Sequence, residues 1–275
     1  MQENKILNGA NHIVKDIQKL KPKKTMKTMK TKNIYYRIII GLIFLTSCSN
    51  SDKIENEEPN SNVVTDIEGN TYSTIEIGTQ IWTKENLNVS KYRNGDPILQ
   101  VTDPYEWQNS KTGAWCYYAN QSANGIIYGK LYNWHAINDA RGLAPKGWHI
   151  PSDSEWTLLS DFLITNKYNY DGTVSGNKIG KSLASANLWY KDSQKGAVGN
   201  NLTLNNSTKF TGLPAGSRWS DATINFSGLY FNTGWWSSTD SDNIAIKYGL
   251  SYTSENLSRS YEGKKYGYSI RCIKD

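Results

Sequence analysis

The sequence predicts an α+β domain, and three observations carry that reading. One strongly capped amphipathic helix stands near the middle of the chain. Short aromatic-rich strands, punctuated by Gly, Asn, Ser and Asp, fill its last part. Long polar loops separate them, and helices early with strands late describe an α+β arrangement rather than alternating β and α units.

The chain opens on a leader. Arg37 precedes the apolar residues 38–45, and Leu45-Thr46-Ser47-Cys48 follows directly. A basic region, a short apolar core and small residues before a cut describe a secretory signal peptide over residues 1–47. The apolar run falls well short of the ~20 residues that span a bilayer. Leu45-Thr46-Ser47-Cys48 resembles the lipobox of bacterial lipoproteins, whose cysteine is lipidated and becomes the mature N-terminus; an ordinary secretory signal with an incidental cysteine is the alternative. Counted from Met1 the leader is long, and Met26 or Met29 would start one of ordinary size. It holds ten Lys or Arg and two acidic residues, so a chain of net +6 leaves −2 for the remainder. The basic balance therefore gives no support to a nucleic-acid partner.

Residues 48–63 combine charge with few large apolar side chains, so they read as an acidic tether that cannot bury enough surface to order itself. Residues 64–275 then have the length of one domain. Residues 72–77 alternate as a strand, and Gly78-Thr79 suits a tight turn into Gln80-Ile81-Trp82. Residues 114–118 are a further strand. A helix is expected over residues 129–137.

Ile150-Pro151-Ser152-Asp153-Ser154-Glu155-Trp156 is a complete helix start. Ser152 fits the N-cap, Glu155 closes a capping box, and Asp153 and Glu155 favour the positive end of the helix dipole. Trp156, Leu159, Phe162 and Leu163 recur at helical spacing. A third helix is expected over residues 178–185. Late strands are marked by Phe210, residues 229–231, Trp235-Trp236, residues 244–248 and residues 268–273.

Several of these segments together are similar to the bacterial major paralogous domain family called FISUMP. Residues 76–87 (EIGTQIWTKENL) resemble its opening, and residues 128–134 (YGKLYNW) and 147–152 (GWHIPS) resemble its middle. Residues 213–218 (LPAGSR), 235–239 (WWSST) and 268–272 (YSIRC) resemble its end. The resemblance implies a surface or secreted bacterial domain, common in lipoproteins, with no established reaction. The Pro-Ser-Asp-Ser-Glu-Trp stretch and the Ile-Arg-Cys ending also resemble C-type-lectin-like domains of the formylglycine-generating-enzyme type, which makes a single C-type-lectin-like domain the expected fold.

Many relatives carry a cysteine where this chain has Ala144. Cys116 and Cys272 are the cysteines left beside Cys48, and in an exported chain such a pair suggests a disulfide; two buried free thiols are the other reading. Signs of catalysis are few. His135 and His149 have no second histidine or cysteine at metal-ligand spacing, so no metal or other cofactor is expected. His149 reads as a scaffold histidine or as a base. Asp240-Ser241-Asp242-Asn243 reads as a solvated turn or as oxygen ligands for calcium.

Ten Trp and eighteen Tyr against five Phe point to binding, because these rings pair an apolar face with a polar handle. Trp82, Trp134, Trp148, Trp156 and Trp235 belong to scaffold motifs and are expected in the core. Trp189 with Tyr190, and Arg218 with Trp219, stand in loop-like contexts and are the candidate ligand contacts. The expected function is a lipid-anchored module at the bacterial outer membrane or cell surface that recognises glycan or protein without catalysis. A surface hydrolase using Glu155, Asp153 or Asp240 is the alternative.

Overall fold

The computed structural model describes residues 62–275, Ile224 excepted. The leader, Cys48 and most of the tether lie outside the described residues. The described residues fall within one compact unit.

Three sheets form the frame. The first runs β1 (Val63–Thr65), β2 (Thr71–Ile77), β3 (Gln80–Thr83), β13 (Ile273–Lys274) and β7 (Trp148–His149), all antiparallel. β1 takes in Val63, the last residue assigned to the tether. The second is a three-stranded sheet of β4 (Leu99–Gln100), β5 (Ala114–Cys116) and β6 (Leu131–Tyr132). The third runs β12 (Ser258–Gly263), β11 (Ile244–Ser251), β10 (Asn232–Ser241), β8 (Ala215–Arg218) and β9 (Phe226–Leu229). Its long members β10 and β11 form a hairpin whose two-residue turn is Asp242-Asn243. Five short helices complete the described residues: α1 (Pro104–Asn109), α2 (Ser122–Tyr128), α3 (Trp134–Ile137), α4 (Asp153–Thr165) and α5 (Gly180–Leu183). The architecture is mixed α+β and mostly sheet.

The helix start read from sequence is α4. Ser152 Oγ accepts from the Glu155 N–H at 3.3 Å, and the Ser152 N–H donates to Glu155 Oε2 at 2.7 Å, the reciprocal pair of a capping box. Trp156, Leu159 and Leu163 are fully buried, with Phe162 packed at their edge. Trp156 lies 4.8 Å from Trp82, 5.0 Å from Tyr248 and 5.9 Å from Trp235, ring centre to ring centre. This aromatic stack joins α4 to the first and third sheets. Trp82, Trp134, Trp148, Trp156 and Trp235 are all buried, as expected of scaffold positions.

Two expected helices change form. The one expected over residues 129–137 keeps only its last turn, α3, because α2 ends just before it with Gly129 as its C-cap. Gly129 has φ +75°, and a Cβ there would meet the Asn86 and Leu87 carbonyl oxygens at 2.9 Å, so the chain must leave the helix. β6 follows, and the Asn133 side chain then caps α3 through the Ala136 N–H. The helix expected over residues 178–185 shrinks to the single turn α5, although Ile179 and Leu183 are both buried. Phe210 is in no strand; its carbonyl accepts from Arg271 Nη1 at 3.0 Å instead of joining a ladder.

The cysteine pair is corrected. Cys116 and Cys272 are free thiols, each fully buried, in different apolar clusters. Cys116 sits on β5 beside Val101, Trp107 and Leu131, and Cys272 sits among Tyr72, Tyr132 and Ile270. Burial pushes the Cys116 thiol up to about 11, against the pull of Arg218, and the Cys272 thiol up to about 12.

Candidate functional site

The third sheet carries a cleft of about 240 Å³ in which polar groups and aromatic rings converge. Its base is made by the first residues of β10 and their neighbours on β8. Thr233 pairs with Gly216 across the parallel β8–β10 contact. One wall comes from β11 and β12, through Lys247 and Glu262. The other comes from Trp219, just past β8, and from Tyr266 and Tyr268 in the segment after β12.

Backbone bonds fix each wall. The Trp219 N–H donates to the Asn225 carbonyl at 3.0 Å, which closes the β8–β9 connection. The segment carrying the tyrosines is held on both sides, by reciprocal bonds between Arg218 and Gly267 and between Tyr132 and Tyr268. Trp219 lies 5.8 Å from Tyr266 at a tilt of 52°, and Tyr266 is nearly parallel to Tyr268 at 6.0 Å. Gly234 lets the Tyr268 ring lie on β10, since a Cβ there would stand 2.6 Å from the ring.

The electrostatics are those of a small, half-dry site. Lys247 Nζ stands 3.6 Å from Glu262 and 5.3 Å from the Tyr268 ring centre, with both charged side chains largely covered. Burial, with Glu262 and Tyr266 adding to it, raises the Tyr268 phenol well above its ordinary value, so it stays a neutral donor. Thr233 is 4% exposed and its Oγ1 has no hydrogen-bond partner. A buried hydroxyl without a partner costs on the order of 1–3 kcal/mol.

The model of the Fibrobacter succinogenes major domain matches residues 75–274. The chain belongs to this family. No curated protein and no solved structure matches it. The stretch that matches the Fibrobacter succinogenes major domain holds every lining residue of the cleft and leaves out residues 1–74, β1 among them.

Of the four candidate contacts read from sequence, the structure brings one to this cleft. Nine of the chain's ten tryptophans are buried, and Trp219 is the one left half-exposed. Trp189 is corrected: it is 4% exposed, and its Nε1 donates to the Gly212 carbonyl at 3.1 Å. Arg218 is corrected as well. It is fully buried, donates to the carbonyls of Val101, Thr102 and Asp103, and stacks 4.3 Å from Trp107. Tyr190 is half-exposed but packs on Phe231 and Tyr252, away from Trp219's neighbours. Sequence reading missed Thr233, Lys247, Glu262, Tyr266 and Tyr268. The Tyr266-Gly267-Tyr268 alternation was the available signal, since it puts two rings on one side of an extended segment.

The carboxylates of the hydrolase alternative are each engaged. Glu155 holds the Ser152 cap and meets His149 Nε2 at 2.7 Å, while His149 Nδ1 meets Asp275 at 2.7 Å. Asp153 accepts from Arg259 Nε and from the Tyr248 hydroxyl, both at 2.7 Å. Asp240 pairs with Lys264 at 2.5 Å. Among the described residues, no group of three or more His, Cys, Asp or Glu side chains is placed to hold a metal ion. Asp242 has φ +51° in the β10–β11 turn.

Proposed function

We propose that this protein is a lipid-anchored binding module at the bacterial cell surface, and that the Trp219 cleft receives one sugar ring of a glycan. The supporting observation is the pairing of the one half-exposed tryptophan with an unpartnered buried hydroxyl in a single cleft. The ring's C–H face would lie against Trp219 or Tyr266, and its hydroxyls would meet Thr233 Oγ1, Asn232 and the Lys247–Glu262 pair. The cleft volume lies below the ~300–1,000 Å³ of sites for drug-sized ligands, which suits one ring rather than a chain.

Anchoring rests on the leader and on Leu45-Thr46-Ser47-Cys48, with Cys48 the lipidated residue and the tether as spacer. On this reading the protein sits in the outer membrane or on the cell surface. The finer description of the fold as C-type-lectin-like rests on the residue resemblance and is part of the same proposal. A glycan array probed with wild type and with Trp219→Ala tests the binding. Signals lost in the variant support it; an array with no signal, or one unchanged by the substitution, overturns it. For the anchor, Cys48→Ala should leave the membrane fraction, and retention there would refute lipidation.

A further inference from the structure

A second cleft, of about 570 Å³, shares no lining residue with the first. It lies between the end of α4, α5 and the Gly/Asn-rich segment after Trp189. Three lysines line it, Lys167, Lys181 and Lys195, and no carboxylate does. Lys181 is 5% exposed. Its ammonium donates to the carbonyls of Ala197 at 3.3 Å, Asn201 at 3.4 Å and Asn200. Those bonds occupy its three donors but bring no negative charge, and burial alone lowers its pKa. Lys167 and Lys195 make no ion pair among the described residues. The carboxylates next along the chain are engaged elsewhere: Asp171 with Lys178 Nζ at 2.6 Å, and Asp192 with the Gln194 N–H at 2.7 Å. The lining of the cleft therefore carries positive charge and no carboxylate of its own.

Its apolar surface is aromatic. Tyr168 and Tyr170 both line it, set there by N–H bonds to the Leu163 and Lys178 carbonyls. Gly196, at φ +88°, gives the Tyr170 ring its place, because a Cβ would stand 2.3 Å from it. Aromatic rings beside cations in one cleft match a ligand that joins a ring face to an acid.

We propose that this cleft binds the carboxylate-bearing ring of an acidic sugar, a uronate unit of a polysaccharide, as a site separate from the Trp219 cleft. The ring packs on Tyr168 and Tyr170, and its carboxylate meets Lys167 and Lys195. Lys181 adds charge from behind without a direct bond.

Calorimetry on the purified full chain tests this with trigalacturonate, neutral maltotriose and inorganic sulfate. Trigalacturonate should bind at least about tenfold tighter than maltotriose at this site, and added salt should weaken it. The double variant Lys167→Glu/Lys195→Glu should lose about tenfold or more with its melting temperature kept, while Trp219→Ala should bind trigalacturonate as wild type does. Equal binding of the two trisaccharides, or no binding of trigalacturonate, overturns the proposal. So does sulfate competing as well as trigalacturonate, which would mark a bare anion site. Loss of trigalacturonate binding in Trp219→Ala would overturn the second site while leaving the Trp219 cleft in place.

Discussion

Truncating Trp219 and Trp156 to alanine should separate site from scaffold. Trp156 is fully buried and touches Trp82, Phe210, Trp235 and Tyr248. Removal of such a ring costs about 3–5 kcal/mol. Its Nε1 has no partner, so the substitution also removes an unsatisfied buried donor, which places the loss near the lower end. At ~2–4 °C per kcal/mol for a domain of roughly this size, Trp156→Ala should melt about 6–12 °C lower. Trp219 is half-exposed, and the ring contact found for it is with Tyr266. One such aromatic pair is worth about 0.5–1.5 kcal/mol, so its melting shift should be roughly 1–6 °C. Its effect on binding should be the larger one: loss of an aromatic anchor worth about 2 kcal/mol weakens Kd by ~30-fold. Circular dichroism melts and calorimetry against the strongest array ligand measure both. If Trp219→Ala melts as low as Trp156→Ala, or binds like wild type, the assignment of Trp219 to the site is wrong.

Arg218→Ala should cost about 3–5 kcal/mol in denaturant unfolding, because three carbonyls, that of Val101 buried, and the Trp107 face lose their cation; a loss within ~0.5 kcal/mol would return Arg218 to the surface. Cys116 and Cys272 should resist alkylation in the native chain and both react once it is denatured, since burial raises both thiols; a bridged peptide in non-reducing maps would restore the disulfide. For His149, burial works against the charged form, but Asp275 and Glu155 outweigh it and its pKa is raised. The stabilisation is then full below the unfolded value of ~6.5 and is lost as pH rises through the folded one. NMR titration of His149 should show a midpoint above that of a His149 peptide, and Glu155→Gln should lower it. A midpoint at or below the peptide's would refute the raised His149 pKa and the two carboxylate contacts behind it.

The sequence by itself determined the local devices. Ser152 and Glu155 cap α4 because capping needs only residues three apart, and Gly78-Thr79 turns β2 into β3 because a tight turn is written in adjacent residues. The scaffold tryptophans were legible for the same reason, each lying beside a helix start or within a strand. The tertiary structure decided which loop rings face solvent. Trp189 and Trp219 both stand in Gly/Asn/Ser-rich contexts, yet one finds a carbonyl and apolar neighbours while the other is left at a cleft. Arg218 follows suit, since its three carbonyl partners come from residues more than a hundred positions earlier. The cleft joins β8, β10, β11, β12 and the segment after it, which meet only after the sheet has formed. A ring or a charge records its own chemistry in the sequence, but its partner and its exposure depend on strands that the chain order does not place side by side.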